Sequence, residues 1–227
     1  MKLTAVWMLT LLLMLTLRAM SCDRAGDDRV RGAPSIGDGL PYYSTPDLTP
    51  AWPAPEIADA PSFHRIRAFR FVDQDGRAVT ESTIAGKVSV VNFFFASCGG
   101  ICPRMTENLT RVQKTFAEDD EVILLSHSVT PEIDTVSALS VYAEAKGVRS
   151  GKWRLLTGDR REIYDVARTS YFADAGAEYD RGPNDFLHTE KVFLVDEERR
   201  IRGVYNGVRT MDIRRLIEDV QELRKES

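Results

Sequence analysis

Hydrophobic and polar positions alternate along residues 64–227 in a way that predicts strands and helices in turn. Arg67–Val72 and Arg77–Val79 flank the turn sequence Asp-Gln-Asp-Gly, which is typical of a β-hairpin. The run Val88–Phe95 is apolar at nearly every position, as in a central strand that is buried on both faces. The segment after Pro103 has apolar residues at helical spacings of four, three and four: Met105, Leu109, Val112 and Phe116.

The rest of the domain continues this alternation. Further strands are predicted at Glu121–Leu125, Trp153–Leu156, Val192–Val195 and Ile201–Tyr205. Further helices are predicted from a cap at Asp134 through Lys146 to Gly147, from Asp159 towards Tyr171, and from about Met211. This order predicts an α/β fold of thioredoxin-like architecture, with a central mixed β-sheet flanked by helices and an N-terminal β-hairpin.

The residues before this domain have the composition of a targeting segment followed by a leader. Lys2 precedes a largely apolar run, Leu3–Leu17, which suits a signal-peptide core but is short for a membrane span of about 20 residues. Residues 22–61 contain seven of the ten prolines, which disfavour helices and central strands. The sequence therefore predicts a signal peptide at 1–21, a Pro-rich leader at 22–61 and a domain at 62–227. Within the leader, the aromatic residues of Leu40–Tyr43 and Trp52 can pack back onto the domain.

The segment Ala19–Cys22 resembles the lipobox of bacterial lipoproteins, in which the cysteine becomes the lipidated first residue. Ala19 stands where Leu is usual and Arg18 interrupts the apolar run, so a plain signal peptide or an uncleaved anchor remains an alternative. Asp23 resembles the signal that retains lipoproteins at the inner membrane. The expectation is that Cys22 is lipidated and holds the domain on the extracytoplasmic face of the cytoplasmic membrane.

Charge and cysteine content exclude two classes of protein. With 30 basic and 34 acidic residues the net charge is −4, and no basic stripe with interleaved aromatics is present, so nucleic acid is not an expected partner. Three cysteines are too few for a disulfide scaffold. The position of the cysteines is therefore more informative than their number.

Cys98 and Cys102 are separated by three residues and lie between a predicted strand and a helix that starts with proline. The helix dipole favours thiolates at this place, and thiolates serve both metal binding and disulfide exchange. Gly99 and Gly100 are expected to let the backbone fold tightly, while the three-residue spacing leaves room for an ion between the sulfurs. A disulfide that only staples the helix is the structural alternative, although so short a loop gains little stability from it.

The chain has three histidines, and His188 is the best candidate for a third ligand. It directly precedes a predicted strand, and in a thioredoxin-like sheet the loop entering that strand faces the cysteine loop. His64 is expected to be a solvated surface residue and His127 a hydrogen-bonded loop residue. Two thiolates and an imidazole suit copper, in particular Cu(I), while a structural zinc site usually has four protein ligands.

Several motifs in this order resemble the SCO/SenC family of copper chaperones, which act in respiratory oxidase assembly. The motifs, spread over residues 68–222, are Asn92–Phe95 before Cys98–Pro103, Ser128–Thr135, Trp153–Gly158, Phe186–Thr189, Phe193–Asp196 and Ile201–Tyr205. Two features differ from the family pattern. Thr130 stands where Asp is common before this proline, which puts the polar contacts of that loop in question, and Gly99-Gly100 replaces an insert that usually contains proline. Neither difference removes a ligand.

The resemblance implies that Cys98, Cys102 and His188 bind copper as Cu(I) or Cu(II). It also implies delivery of copper to the dinuclear copper site of cytochrome c oxidase, or reduction of the thiols of that site. The partners would be the oxidase subunit that carries this site, other periplasmic copper or thiol-redox proteins, and the membrane through the lipid anchor. An extracytoplasmic thiol–disulfide oxidoreductase with Cys98 and Cys102 as its redox pair is the alternative function. A third possibility is an interaction module with structural cysteines.

Overall fold

The computed structural model describes residues 39–174 and 189–226. The strands are β1 (Arg70–Val72), β2 (Ala78–Thr80), β3 (Val88–Phe94), β4 (Val122–Ser128), β5 (Trp153–Leu156), β6 (Lys191–Val195) and β7 (Ile201–Asn206). The helices are α1 (Pro55–Ala58), α2 (Glu81–Ile84), α3 (Cys102–Thr115), α4 (Val136–Lys146), α5 (Arg160–Asp165) and α6 (Thr210–Glu226), with a π-helix at Val166–Ser170.

The central sheet has the strand order β5-β4-β3-β6-β7. Strands β3, β4 and β5 are parallel, whereas β6 is antiparallel to both β3 and β7. Parallel neighbours need a crossover, which α3 supplies between β3 and β4 and α4 supplies between β4 and β5. Strands β1 and β2 form a separate antiparallel hairpin. The predicted thioredoxin-like α/β fold, with a mixed sheet flanked by helices and an N-terminal hairpin, is confirmed.

Strand β3 lies at the centre of the core, and all seven of its residues are buried. Successive side chains of a strand point to opposite faces. Val88, Val90 and Phe94 pack with residues of α3, α4 and α6, whereas Val91 and Phe93 pack with the hairpin, α5 and the π-helix. The nearly unbroken apolar run in the sequence therefore reflects a strand that is covered on both faces.

Strand β4 extends further than the predicted Glu121–Leu125. It continues to Ser128, and its two serines, Ser126 and Ser128, have buried hydrogen-bond partners. Ser126 Oγ donates to Asn92 Oδ1 at 2.5 Å and accepts a hydrogen bond from Trp153 Nε1 at 2.8 Å. His127 consequently lies inside a buried strand and not in a loop.

The sequence predicts the N-cap of helix α4 at Asp134, but in the structure Thr135 is the N-cap. The Thr135 side chain accepts a hydrogen bond from Ala138 N at 3.3 Å, while the Asp134 carboxylate bonds elsewhere, as described below. The end of α4 agrees with the prediction, since Gly147 adopts a left-handed conformation with φ of 68°. Glycine takes this conformation without steric cost and commonly ends a helix.

The helix predicted from Asp159 towards Tyr171 changes its hydrogen-bond pattern midway. Asp159 caps α5 as expected, because its carboxylate accepts a hydrogen bond from Glu162 N at 3.0 Å. The α-helix ends at Asp165 and the π-helix continues to Ser170. This π-helix packs its buried residues against the same face of the sheet as the hairpin.

Residues 39–61, the described part of the predicted leader, pack on β7. Tyr43 N donates to Ile201 O at 2.9 Å, and Arg202 Nη2 donates to Leu40 O at 2.8 Å. The Arg202 guanidinium also lies 4.1 Å from the ring centroid of Tyr42. We call residues 39–61 the strap. Residues 1–38, with the predicted signal peptide and Cys22, lie outside the described residues. Among the helices that are described, none has the length and apolar character needed to cross a membrane.

Candidate metal centre

The two cysteines lie in the connection between β3 and α3. Cys102 is the first residue of α3 and is followed by Pro103, which suits the first turn because its missing N–H has no helical acceptor there. Both thiols are free, and Cys98 and Cys102 are 9% and 4% exposed. The loop turns back through a hydrogen bond from Cys98 N to Phe95 O at 3.3 Å. The sequence prediction of two thiols at a helix N-terminus is therefore confirmed.

The surroundings of the two sulfurs differ in their effect on ionisation. Burial alone would raise the pKa of Cys98, but hydrogen bonds from the Cys102 thiol and from the backbone N–H groups of Cys102, Gly100 and Ile101 lower this pKa below its usual value. Burial raises the pKa of Cys102 to about 12, and the neighbouring Cys98 adds to this effect. The pair therefore favours one thiolate, on Cys98, that accepts a hydrogen bond from the Cys102 thiol.

The glycines between the cysteines do not have the role expected from the sequence. Neither Gly99 nor Gly100 adopts a positive φ. A Cβ atom added at Gly99 would meet no atom within 4 Å, and one at Gly100 would meet only Cys98 Sγ, at 3.9 Å. The loop conformation therefore does not require glycine. Gly100 instead leaves the space beside the Cys98 sulfur without a side chain.

A buried carboxylate connects the cysteine loop to the end of β4. Asp134 Oδ2 accepts hydrogen bonds from Ala96 N at 3.1 Å, Ser128 Oγ at 2.6 Å and Thr130 Oγ1 at 3.1 Å. Sequence reasoning assigned Asp134 to a helix cap and missed this role. The question about the polar contacts of Thr130 is also answered, because its hydroxyl is one of the three donors.

Tyr142 of α4 is a further polar side chain near the cysteines. Its hydroxyl forms a hydrogen bond with Thr106 Oγ1 of α3 at 2.8 Å, and its ring centroid is 5.6 Å from that of Phe94. Burial raises the pKa of Tyr142, and the charges of Cys102, Cys98 and Asp134 add to this effect. The hydroxyl of Tyr142 is thus within electrostatic reach of both sulfurs.

The predicted third ligand, His188, lies outside the described residues. Strand β6 begins shortly afterwards at Lys191 and is antiparallel to β3, with Val192 opposite Asn92. The chain therefore enters β6 at the edge of the sheet where β3 ends and the cysteine loop begins. Within residues 39–174 and 189–226, no group of three His, Cys, Asp or Glu side chains is arranged to hold a metal ion.

The other two histidines do not have the surroundings predicted for them. His127 is fully buried against the rings of Phe69, Phe71 and Phe93, at centroid distances of 5.3 to 5.9 Å, in the cluster on the face opposite the cysteines. Neither of its ring nitrogens has a hydrogen-bond partner, and burial lowers its pKa to about 3. His64 is half-buried and therefore not a fully solvated surface residue, and its Nε2 lies 2.8 Å from Ser170 O.

The fold and the cysteine pair together define a thioredoxin-like domain with two adjacent thiols at a helix N-terminus. Domains of this class bind metals or exchange disulfides. The family model for SCO1/SenC matches residues 58–225, and the chain belongs to this family. A curated relative, the SCO1 protein homolog of Bacillus subtilis (strain 168), is 31% identical over 163 residues, which are 71% of this chain and 83% of the relative.

Solved structures agree with this assignment. A SCO1/SenC family lipoprotein from Bacillus anthracis str. Ames superposes with a TM-score of 0.62 at 26% identity and covers 71% of this chain and 95% of its own. BsSco, a member of the Sco family of cytochrome c oxidase assembly proteins in which a disulfide switch is identified, gives a TM-score of 0.61 at 29% identity, covering 72% and 95%. Arabidopsis thaliana ScoI with copper bound gives a TM-score of 0.54 at 27% identity, covering 70% and 98%.

Proposed function

We propose that this protein is a copper-binding metallochaperone that delivers copper to the dinuclear copper site of cytochrome c oxidase. The observation that carries the proposal is the pair of free, adjacent cysteines at the start of α3, one of which has a lowered pKa. The copper-bound structure of Arabidopsis ScoI and the family role given for BsSco in oxidase assembly support it.

Copper is the cargo in this proposal, and Cys98, Cys102 and His188 are its ligands. Thiolates are soft ligands that suit Cu(I), and an added imidazole helps to accommodate Cu(II). The Cys102 thiol donates a hydrogen bond to Cys98, and a copper ion bound by both sulfurs would replace this Cys102 proton. Metal binding should therefore release a proton from the site, in addition to any that the imidazole loses.

A thiol–disulfide reductase is the second candidate function, because Cys98 is also a suitable nucleophile. Its thiolate would attack one sulfur of a disulfide in the copper-site subunit and release the other as a thiolate. Cys102 would then attack Cys98 in the mixed disulfide and release the second thiol of the subunit. Two electrons pass to the subunit, and a Cys98–Cys102 disulfide remains.

We also propose that Cys22 is lipidated and that the domain acts on the extracytoplasmic face of the cytoplasmic membrane. The lipobox-like segment Ala19–Cys22 supports this, as does the likeness to a SCO1/SenC lipoprotein of Bacillus anthracis. Mass spectrometry of the mature N-terminus tests the proposal. An intact Met1 or an unmodified Cys22 would contradict lipidation and leave the copper assignment unaffected.

The metal assignment is tested by copper titration of the reduced chain from Asp23 onward, against a chromophoric chelator. We expect one copper per chain, which the Cys98→Ala/Cys102→Ala variant should not bind. His188→Ala should weaken Cu(II) binding more than Cu(I) binding, and His64→Ala is the matched control. Full copper occupancy in the double-cysteine variant would refute the site.

Transfer and reduction are separated by mixing the loaded or the reduced protein with an isolated copper-site domain of the oxidase. A chaperone moves copper to the reduced acceptor and leaves the thiol count of both proteins unchanged. A reductase lowers the thiol count of this protein by two for each disulfide that the acceptor loses. Absence of copper transfer to a reduced acceptor would refute the chaperone function.

A further inference from the structure

The side chain of Asp134 is buried beside the cysteine loop although it carries an ionisable carboxylate. The residue is 1% exposed, and a single oxygen, Oδ2, accepts all three of the hydrogen bonds from Ala96, Ser128 and Thr130. Burial of a carboxylate is costly unless hydrogen bonds compensate for the lost water. One backbone N–H and two side-chain hydroxyls thus compensate this carboxylate oxygen for the lost water.

These bonds fasten the start of the cysteine loop to the end of β4. Ala96 precedes Cys98 by two residues, and its N–H is held directly by the carboxylate. Ser128 Oγ donates to the same carboxylate oxygen and accepts a hydrogen bond from Thr130 N at 3.1 Å. Removal of the carboxylate would therefore free the loop on one side and the β4–α4 connection on the other.

The charge of Asp134 has no ion-pair partner in the part of the chain that the structure describes. Its three bonding partners are one backbone amide and two hydroxyls, all of them neutral donors. The Tyr142 hydroxyl is influenced by Asp134 and by both cysteines, so the carboxylate and the two sulfurs all lie near this hydroxyl. A cation bound at the cysteines would thus be attracted by a nearby buried negative charge that is not a ligand.

We propose that Asp134 is a positioning residue of the copper site, which fixes the cysteine loop through Ala96 and whose negative charge favours Cu(II) over Cu(I). The inference rests on the proposed function for its metal. The electrostatic part follows because Cu(II) carries one more positive charge than Cu(I) in the same ligand set. One unit charge at a distance on the order of 10 Å, in surroundings of effective dielectric about 20, changes the ratio of Cu(II) to Cu(I) affinity by about tenfold.

Two substitutions separate position from charge. Asp134→Asn removes the charge and keeps an oxygen that can accept the same three hydrogen bonds, whereas Asp134→Ala removes both. Asp159→Asn is the matched control, because Asp159 also follows a strand of the parallel part of the sheet but is exposed, and Asn caps a helix as well as Asp does.

The first measurement is amide hydrogen exchange of the peptide spanning residues 95–102 in the reduced, metal-free protein. Asp134→Ala should exchange about tenfold faster than wild type in this peptide, while Asp134→Asn stays within about threefold and Asp159→Asn is unchanged. If Asp134→Ala fails to fold, Ser128→Ala, which removes the 2.6 Å donor and keeps the charge, should give faster exchange in the same peptide. Unchanged exchange in the folded variant would overturn the positioning role.

The second measurement is the ratio of Cu(II) to Cu(I) affinity, obtained anaerobically by competition with chelators. Both Asp134 variants should lower the ratio by about tenfold relative to wild type, and Asp159→Asn should leave it unchanged. A wild-type ratio in Asp134→Asn, with copper still bound, would overturn the role of the charge. Absence of copper binding in the wild-type protein would instead refute the proposed function, and the hydrogen-exchange result would still decide the positioning role.

Discussion

Selective alkylation of the two cysteines follows from their different surroundings. Treatment of the reduced, metal-free protein with iodoacetamide at pH 7.5 should modify Cys98 before Cys102. Hydrogen bonds hold the pKa of Cys98 below its usual value, whereas burial raises the pKa of Cys102 to about 12. Since the thiolate is the reacting species, the less ionised Cys102 is the slower group.

The size of the difference can be worked out from these values. The ordinary pKa of a cysteine thiol is 9.0; the pKa of Cys98 lies below this value and that of Cys102 is about 12, so the two differ by more than about three units. Well below both pKa values, three units change the thiolate fraction by about a thousandfold, and the lower nucleophilicity of the more acidic thiolate offsets about half of this on a logarithmic scale. Cys98 should therefore react at least about thirtyfold faster, and the lower exposure of Cys102 widens the gap.

Peptide mapping by mass spectrometry after short reaction times measures both rates. Cys98→Ser is the informative variant, because the charge and hydrogen bond of Cys98 help to raise the pKa of Cys102. Cys102 should consequently react faster in this variant than in the wild-type protein. Equal rates for the two cysteines in the wild-type protein would refute this account of the site.

Three further predictions concern stability. Gly203→Ala should lower the free energy of unfolding in urea by about 1–3 kcal/mol, because its Cβ would lie 2.2 Å from the buried Tyr205 hydroxyl; unchanged stability would contradict this. Arg202→Ala removes the hydrogen bond to Leu40 O, so limited proteolysis should cleave the strap faster while one copper still binds. His127→Phe should stabilise the protein at acidic pH. The buried His127 has a pKa of about 3, so the folded state loses stability as the pH falls below the unfolded-state pKa of about 6.5, by at most about 1.4 kcal/mol per pH unit. Acid-unfolding curves should show a smaller loss in the variant.

The central strand and the cysteine loop were predictable from local sequence, whereas the end of β4 was not. Strand β3 is a nearly continuous apolar run, and the proline after Cys102 marks the start of α3. In β4 the apolar run stops at Leu125, and the serines that follow, Ser126 and Ser128, are buried with partners from other strands and loops. Ser126, for example, bonds to Asn92 of β3, 34 positions earlier in the chain. Hydrophobic periodicity carries no information about such pairs.

The role of Asp134 shows a second limit of local reasoning. Two consecutive residues, Asp134 and Thr135, are both good N-caps, and a capping signal cannot tell which of them is used. The structure uses Thr135 for the cap, which leaves Asp134 to bind Ala96 from the β3–α3 loop, 38 positions earlier in the chain. The contact depends on parallel β3 and β4 ending at the same edge of the sheet, which follows from the fold and not from either segment alone.

The strap determines where an anchored domain would be attached and in which direction its thiols would face. A Cβ atom at Gly39 would lie 2.9 Å from Glu226 Oε1, so the strap starts beside the last turn of α6. Strand β7 runs parallel to β3, so both strands end at the edge of the sheet that carries the cysteine loop. Helix α6 follows β7 and therefore begins near this edge. It ends about 25 Å away, at the opposite edge of the sheet.

If Cys22 carries a lipid, as proposed, only residues 23–38 would separate the membrane from this attachment point. At roughly 3 Å per residue they span at most about 50 Å, against about 120 Å for a leader that stays free as far as Pro61. A linker shortened in this proportion gives about a fourfold higher local concentration at a nearby membrane target. The domain would thus sample a small volume above the bilayer, with its thiols on the side facing away from the point of attachment.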